Sequence, residues 1–250
     1  MARNAALACW KLLRVLLHTL AGLWTVVFLF PRRSPQQKEE AIRAWALGML
    51  ACLAIKLIVN GKPPASGPVL LAANHISWLD ILVIHAARYC RFVSKADVKH
   101  WPLIGTLATA AGTLYVARES RRDAMRVVHH MAGSLRTGDV LAVFPEGTTS
   151  NGVDLLPFHA NLFQAAISAG APVQPVALRF VDDATGQTSL APCYIDDDTL
   201  LGSIWRTLCT SNLVAVITFG EPQLAQGRDR RVWSADVRKA IVDMRYSRWG

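Results

Sequence analysis

Val69-Leu70-Leu71-Ala72-Ala73-Asn74-His75-Ile76-Ser77-Trp78-Leu79-Asp80 runs from five apolar residues into a polar cluster and on into a helix-like stretch ending near Ala87. A short apolar run bounded by polar residues reads as a strand buried on both faces. The pattern recurs along the chain. Residues 91–94, 113–117, 140–144, 173–180 and 213–219 are further strand-like runs, and residues 77–87, 120–135, 156–169 and 199–210 are helix-like stretches between them. Such alternation predicts an α/β domain, a layered mixed sheet with flanking helices. The segment from Asn74 to Asp80 then falls where a strand ends and a helix begins, where open α/β sheets commonly hold ligands.

The chemistry of that segment is a histidine five residues before an aspartate. An imidazole near a carboxylate makes a general base whose tautomer is fixed and whose charge is steadied. A second motif follows about seventy residues later, Phe144-Pro145-Glu146-Gly147-Thr148-Thr149-Ser150. It ends another strand-like run with a carboxylate, a glycine and three hydroxyls, a set suited to a polar head group. Purely structural roles fit the same residues. Ser77-x-x-Asp80 matches a capping box, and Glu146-Gly147 with its hydroxyls could form a turn that caps the next segment. No phosphate-binding G-x-x-x-x-G-K-[ST] loop and no G-x-S-x-G elbow is present. His129 and His130 are adjacent on a presumed helix, so they point in different directions and make a poor metal pair.

Length and composition narrow the class. The chain has 250 residues, enough for one domain plus an appendage, with 52% hydrophobic and only 18% charged residues. Five scattered cysteines with no C-x-x-C pair give no disulfide framework or zinc site and fit a reducing compartment. The formal charge of +9 sits at the ends. Residues 1–60 hold eight Lys/Arg against two Glu, and residues 227–250 hold seven against three Asp, while the body between is close to neutral. A nucleic-acid enzyme would carry its excess around its site, so no nucleic-acid partner is expected. Basic ends flanking apolar segments fit attraction to anionic lipid head groups, about 1 kcal/mol per Lys or Arg near the surface.

The first sixty residues predict a membrane-associated helical hairpin (1–60), with the catalytic domain over 61–250. Residues 15–30 are apolar except for His18, Thr19 and Thr25, and a second apolar stretch at 41–59 is interrupted by Arg43 and Lys56. Each is borderline for a span of about 20 residues, and Arg or Lys on both sides of the first leaves the orientation open. A hairpin dipping into one leaflet is favoured over two full spans. The breaker-rich stretch 60–68 is the expected boundary. At the other end, residues 228–249 form a basic helix with Val232, Trp233, Val237, Ile241 and Met244 as its apolar positions. That helix either packs one face on the core or touches the membrane through Trp233 and Trp249.

Taken together, the motifs resemble the glycerolipid acyltransferases typified by 1-acylglycerol-3-phosphate O-acyltransferase. Those enzymes share an N-H-x-x-x-x-D block and an F-P-E-G-T-[RK]-S block. The resemblance extends over four ordered blocks within residues 69–180: Asn74 to Asp80; 91–95 with 112–118 and Trp101 to Gly105 between; Phe144 to Ser150; and 171–176. It implies that His75 takes the proton from the acceptor's hydroxyl as that oxygen attacks an acyl thioester, with Asp80 orienting the ring. It further implies that Arg118 and the block of Glu146, Gly147, Thr148 and Thr149 hold the acceptor's polar head. The donor would be acyl-CoA or acyl-carrier protein, the acceptor a membrane lipid, and no metal or organic cofactor is implied. The expected place is the membrane surface, with the active site facing the cytoplasm.

One position departs from the family pattern. Thr149 stands where phosphatidate-forming members carry Arg or Lys. A threonine hydroxyl does not replace a guanidinium fork opposite a phosphate monoester. The acceptor therefore stays open between lysophosphatidate and another lysolipid, such as a lysophospholipid or lyso-ornithine lipid. Arg121 and Arg122 are possible substitutes for the missing cation. A membrane-bound lipid-binding protein with a dead site is the alternative of another class, and an intact His75, Asp80 and Glu146 argue against it.

Overall fold

The structure, a computed structural model, describes residues 2–116, 121–195 and 198–246. Arg118, Ser120 and Trp249 lie outside the described residues, as do the side chains of Arg121 and Arg122. Among the described residues seven strands form one sheet: β1 (Lys56–Asn60), β2 (Val69–Ala73), β3 (Arg91–Lys95), β4 (Leu114–Val116), β5 (Val140–Val143), β6 (Val173–Asp182) and β7 (Leu213–Phe219). Their order is β1-β7-β6-β2-β5-β3-β4. Neighbours are parallel except β6 and β7, so the sheet is mixed, as the alternating pattern predicts. The helices are α1 (Ala2–Trp24), α2 (Pro35–Cys52), α3 (Leu79–Ala87), α4 (Ile104–Ala110), α5 (Arg121–Arg136), α6 (Phe163–Ala169), α7 (Leu200–Cys209) and α8 (Arg230–Tyr246).

β2 shows why the sheet is buried on both faces. Val69, Leu71 and Ala73 join a layer with Leu50 of α2 and Leu79, Val83 and Ile84 of α3. Leu70 and Ala72 face the opposite layer, built from Met131 and Leu135 of α5, Phe163 of α6 and Trp233, Val237 and Ile241 of α8. Each aliphatic side chain fully removed from water contributes about 1.5–3 kcal/mol. The C-terminal helix therefore packs on the core. Trp233 is fully buried, which decides for the first of the two readings of this helix and against membrane contact through Trp233, and Val232 is the apolar position left exposed.

α1 and α2 pack against each other as a helical pair, and the second helix is shorter than its apolar run suggests. α2 ends at Cys52, and Lys56–Asn60 is already strand β1, paired in parallel with β7. The stretch 41–59 is thus helix and then edge strand, and the sheet begins ahead of the boundary drawn at residue 60. Helix 156–169 also starts late, as a single 3-10 turn at Ala160–Leu162 followed by α6. The short helix α4 has no counterpart among the expected elements.

α1 and α2 are locked by a reciprocal pair. The His18 and Trp45 rings stack with centroids 5.6 Å apart. His18 Nε2 donates to the Trp45 carbonyl at 2.9 Å, and Trp45 Nε1 donates to the His18 carbonyl at 3.1 Å. Glycine is required at the crossing: a Cβ at Gly22 would sit 2.4 Å from the Trp45 ring, and one at Gly48 would sit 2.5 Å from the His18 ring. α1 also docks on α7, where Lys11 Nζ donates to the Thr210 carbonyl at 2.7 Å. Its opposite face exposes Trp10, Leu13, Leu17, Leu20 and Trp24, and Phe28 in the π-helical turn that follows is exposed as well. Among the described residues one helical stretch, Ala5–Arg32, is long and apolar enough to cross a membrane, and only 6% of its most apolar window is buried.

Candidate active site

Sheet register brings the two motifs together. Ala72 of β2 lies opposite Val143 of β5, so the residues that follow each strand emerge side by side at the carboxyl ends. Asn74 closes β2 by mimicking one more ladder pair toward β6. Its amide accepts from the Leu178 N–H at 2.7 Å and donates to the Leu178 carbonyl at 3.1 Å. His75 follows directly.

The 144–150 motif brackets His75. The His75 N–H donates to Glu146 Oε1 at 2.7 Å. Its carbonyl accepts from the Ser150 amide at 2.9 Å and from the Ser150 hydroxyl at 3.2 Å. One face of the imidazole stacks on Phe144, with centroids 3.9 Å apart and planes 11° from parallel. Main chain and ring are thus fixed by one block of sequence seventy residues away.

Asp80 arrives on the first turn of α3 and is fully buried. Its Oδ2 accepts three hydrogen bonds, from the Ile76 N–H at 2.6 Å, the Ser77 N–H at 2.9 Å and His75 Nδ1 at 2.8 Å. The capping and orienting roles therefore coexist on a single oxygen. Ser77 completes the turn by accepting from the Leu79 N–H at 3.3 Å, rather than from Asp80 as a full capping box would have it. With the Nδ1 proton given to Asp80, a neutral imidazole carries its lone pair on Nε2. The His75 side chain keeps 19% exposure, enough for a hydroxyl to approach it.

Glu146, only 4% exposed, uses both oxygens on backbone: Oε1 on His75, and Oε2 on the Leu156 N–H at 2.8 Å. Burial pushes its carboxyl above the usual carboxylate range, and the two amides pull it back toward ionisation. Gly147 closes the turn with its N–H on the Phe144 carbonyl at 3.0 Å, at φ +75°. A Cβ there would lie 2.8 Å from the His159 ring. Thr148 is exposed, whereas the half-buried Thr149 donates its hydroxyl to the Tyr194 carbonyl. Of the expected head-group ligands, Glu146 and Thr149 thus have intramolecular partners, Thr148 faces solvent, and Arg118 lies outside the described residues.

The chain is similar to proteins of known class. The family model described as Acyltransferase matches residues 56–179. The 1-acyl-sn-glycerol-3-phosphate acyltransferase of Neisseria gonorrhoeae is 41% identical over 210 residues, covering 83% of this chain and 81% of that protein. The chain belongs to the acyltransferase family. It is also similar to the lyso-ornithine lipid O-acyltransferase of Pseudomonas aeruginosa, 38% identical over 204 residues, covering 82% of this chain and 78% of that one. The fold is shared with the crystal structure of the 1-acyl-sn-glycerophosphate (LPA) acyltransferase PlsC from Thermotoga maritima. That match has a TM-score of 0.70 at 18% identity, covering 100% of this chain and 98% of that chain.

Five residues that shape this site carry no individual role that their sequence context reveals. Asn74 and Ser150 lie inside the quoted motifs, yet their work is on backbone and has no local signature. Phe144 stacks on the imidazole, and Phe92 stacks behind it at 5.8 Å. Tyr194, whose carbonyl holds Thr149 and whose N–H reaches the Ile76 carbonyl at 3.3 Å, lies on a segment with no motif at all.

Proposed function

We propose that this acyltransferase moves a fatty acyl group from a thioester, acyl-CoA or acyl-carrier protein, to the free hydroxyl of a lysolipid, with His75 as general base. The observation that carries the reading is the His75–Asp80 pair at 2.8 Å, which anchors Nδ1 and leaves Nε2 for the acceptor. Nε2 takes the hydroxyl proton as the oxygen attacks the thioester carbonyl. The tetrahedral intermediate collapses, the C–S bond breaks, and the imidazolium returns its proton to the departing thiolate. Asp80 balances the imidazolium charge while it exists. The thioester is already activated, so no covalent acyl-enzyme is required, and the steps call on no metal or organic cofactor.

The first reading of the acceptor is 1-acyl-sn-glycerol 3-phosphate, named by the Neisseria relative, which would give phosphatidic acid. The second is lyso-ornithine lipid, named by the Pseudomonas relative. Thr149 favours the second, because it brings no charge and its hydroxyl is already given to Tyr194. Thiol release measured with a panel of lysolipids decides between them. If the acceptor lacks a phosphate monoester, Thr149→Arg should raise activity on lysophosphatidate relative to the others roughly tenfold, the gain of one charge-assisted hydrogen bond. A native enzyme that strongly prefers lysophosphatidate, together with a neutral Thr149→Arg, would move the phosphate contact to another cation, with Arg118 first.

The exposed apolar face of α1 gives the acceptor its route, from a bilayer against which the helix lies. Trp101, Leu103 and Ile104 at the start of α4 and Leu201 and Trp205 on α7 are exposed on two of the elements that α1 touches. Lys95, Lys99 and His100 stand exposed beside the α4 residues and suit anionic head groups. In this reading the protein attaches to one leaflet with its site toward the cytoplasm. Full-length protein should stay with sedimented vesicles through a high-salt wash, because inserted apolar surface is not screened. Release by salt alone would reduce the attachment to electrostatics.

A further inference from the structure

Arg238 lies on α8, well away from both motifs in sequence. Burial of Trp233, Val237 and Ile241 fixes how the helix sits, and Arg238 and Arg245, seven residues apart, fall on a common side two turns apart. Both reach the segment just after the 144–150 motif. Arg238 Nε donates to the Leu156 carbonyl at 3.0 Å, and its Nη2 donates to the Leu155 carbonyl. Arg245 Nη1 adds a longer contact of 3.4 Å to the Val153 carbonyl. Residues 151–159 have neither helix nor strand, and these side chains are among the groups that hold them.

The Leu155 carbonyl and the Leu156 N–H belong to one peptide unit. Its oxygen takes a hydrogen bond from the Arg238 cation, and its N–H gives one to Glu146 Oε2 at 2.8 Å. A cation on the oxygen and a carboxylate at the N–H polarise a peptide in the sense that strengthens both bonds. Glu146 Oε1 in turn holds the His75 N–H at 2.7 Å. An unbroken run of three hydrogen bonds thus leads from α8 to the main chain of the proposed base.

We infer that Arg238 is a positioning residue for acyl transfer: it clamps peptide 155–156 against Glu146 and so fixes the backbone that carries His75. The inference rests on His75 being the base. Arginine suits the task because its planar fork spans two successive carbonyls, which a lysine ammonium does not reproduce. Arg238 is held on the Leu155 and Leu156 carbonyls and reaches His75 only through Glu146, so the effect belongs in kcat rather than in substrate affinity.

A double-mutant cycle on the full-length enzyme tests this, using Arg238→Met, Glu146→Gln and the double variant, with kcat and KM measured for thioester and lysolipid. Arg238→Met should lower kcat about tenfold, with both KM values within about twofold, as expected for loss of a charge-assisted contact that acts through another group. Glu146→Gln should lower kcat at least as much, and the double variant should be no slower than Glu146→Gln alone. Arg238→Lys, which keeps the charge and one donor, should recover part of the loss. If Arg238→Met fails to fold, the same cycle is run with Arg238→Lys and should again be non-additive. Effects that multiply in the double variant, or a wild-type kcat in Arg238→Met, would overturn the inference. A His75→Ala control separates the two levels: if it is active, the base assignment fails, whereas an inactive control beside an additive cycle sinks only the relay.

Discussion

His75→Ala is expected to cut acyl transfer by about 10²–10⁴-fold, the range that a positioned general base supplies, and to leave the protein folded. The site geometry separates these outcomes. Asp80 Oδ2 would lose the imidazole but keep the Ile76 and Ser77 amides at 2.6 and 2.9 Å, so the buried carboxylate is not orphaned. Glu146 and Ser150 hold the backbone of residue 75, not its side chain, and alanine keeps both contacts. What the fold loses is the stacking on Phe144, on the order of 0.5–1.5 kcal/mol, and the hydrogen bond from Nδ1 to the Asp80 carboxylate, about 1.5–3 kcal/mol. Thiol release and thermal unfolding measured on one preparation check both halves. Turnover near the wild-type rate would refute the base assignment.

How much of this was readable in the sequence depends on whether the partners are local. β2 and β7 are continuous apolar runs buried throughout or nearly so, and their limits agree with the sequence reading to the residue. β1 is an edge strand with Lys56 and Val59 exposed, and it follows α2 without a strong breaker, so its apolar residues read as more helix. The His75–Asp80 contact spans five residues and was legible as a motif. The grip of Glu146 on the His75 amide was not, because it exists only through the β2–β5 register. Thr149 to Tyr194 and Arg238 to Leu155 span 45 and 83 residues and join a side chain to a carbonyl, a group that every residue carries. Such bonds leave no compositional trace.

Asp80→Asn should also lose most activity, though less completely than His75→Ala. The carboxamide has little choice of orientation. Three donors converge on the Oδ2 position, so the amide oxygen must take that place and the NH₂ must replace Oδ1. The ring then keeps its plane and its Nδ1 proton, but the imidazolium that forms during transfer loses its compensating charge. Oδ1 is buried with no partner among the described residues, so an NH₂ there becomes a desolvated donor without an acceptor. Such a group costs about 1–3 kcal/mol of stability. Asp80→Asn is therefore expected to lower both the unfolding midpoint and the rate per folded molecule, and the two must be measured separately. If stability falls while the folded fraction turns over at the wild-type rate, Asp80 serves only to cap the start of α3 and the charge-balancing role is wrong. If the rate per folded molecule falls, the oxygen that caps the turn also carries the catalytic charge.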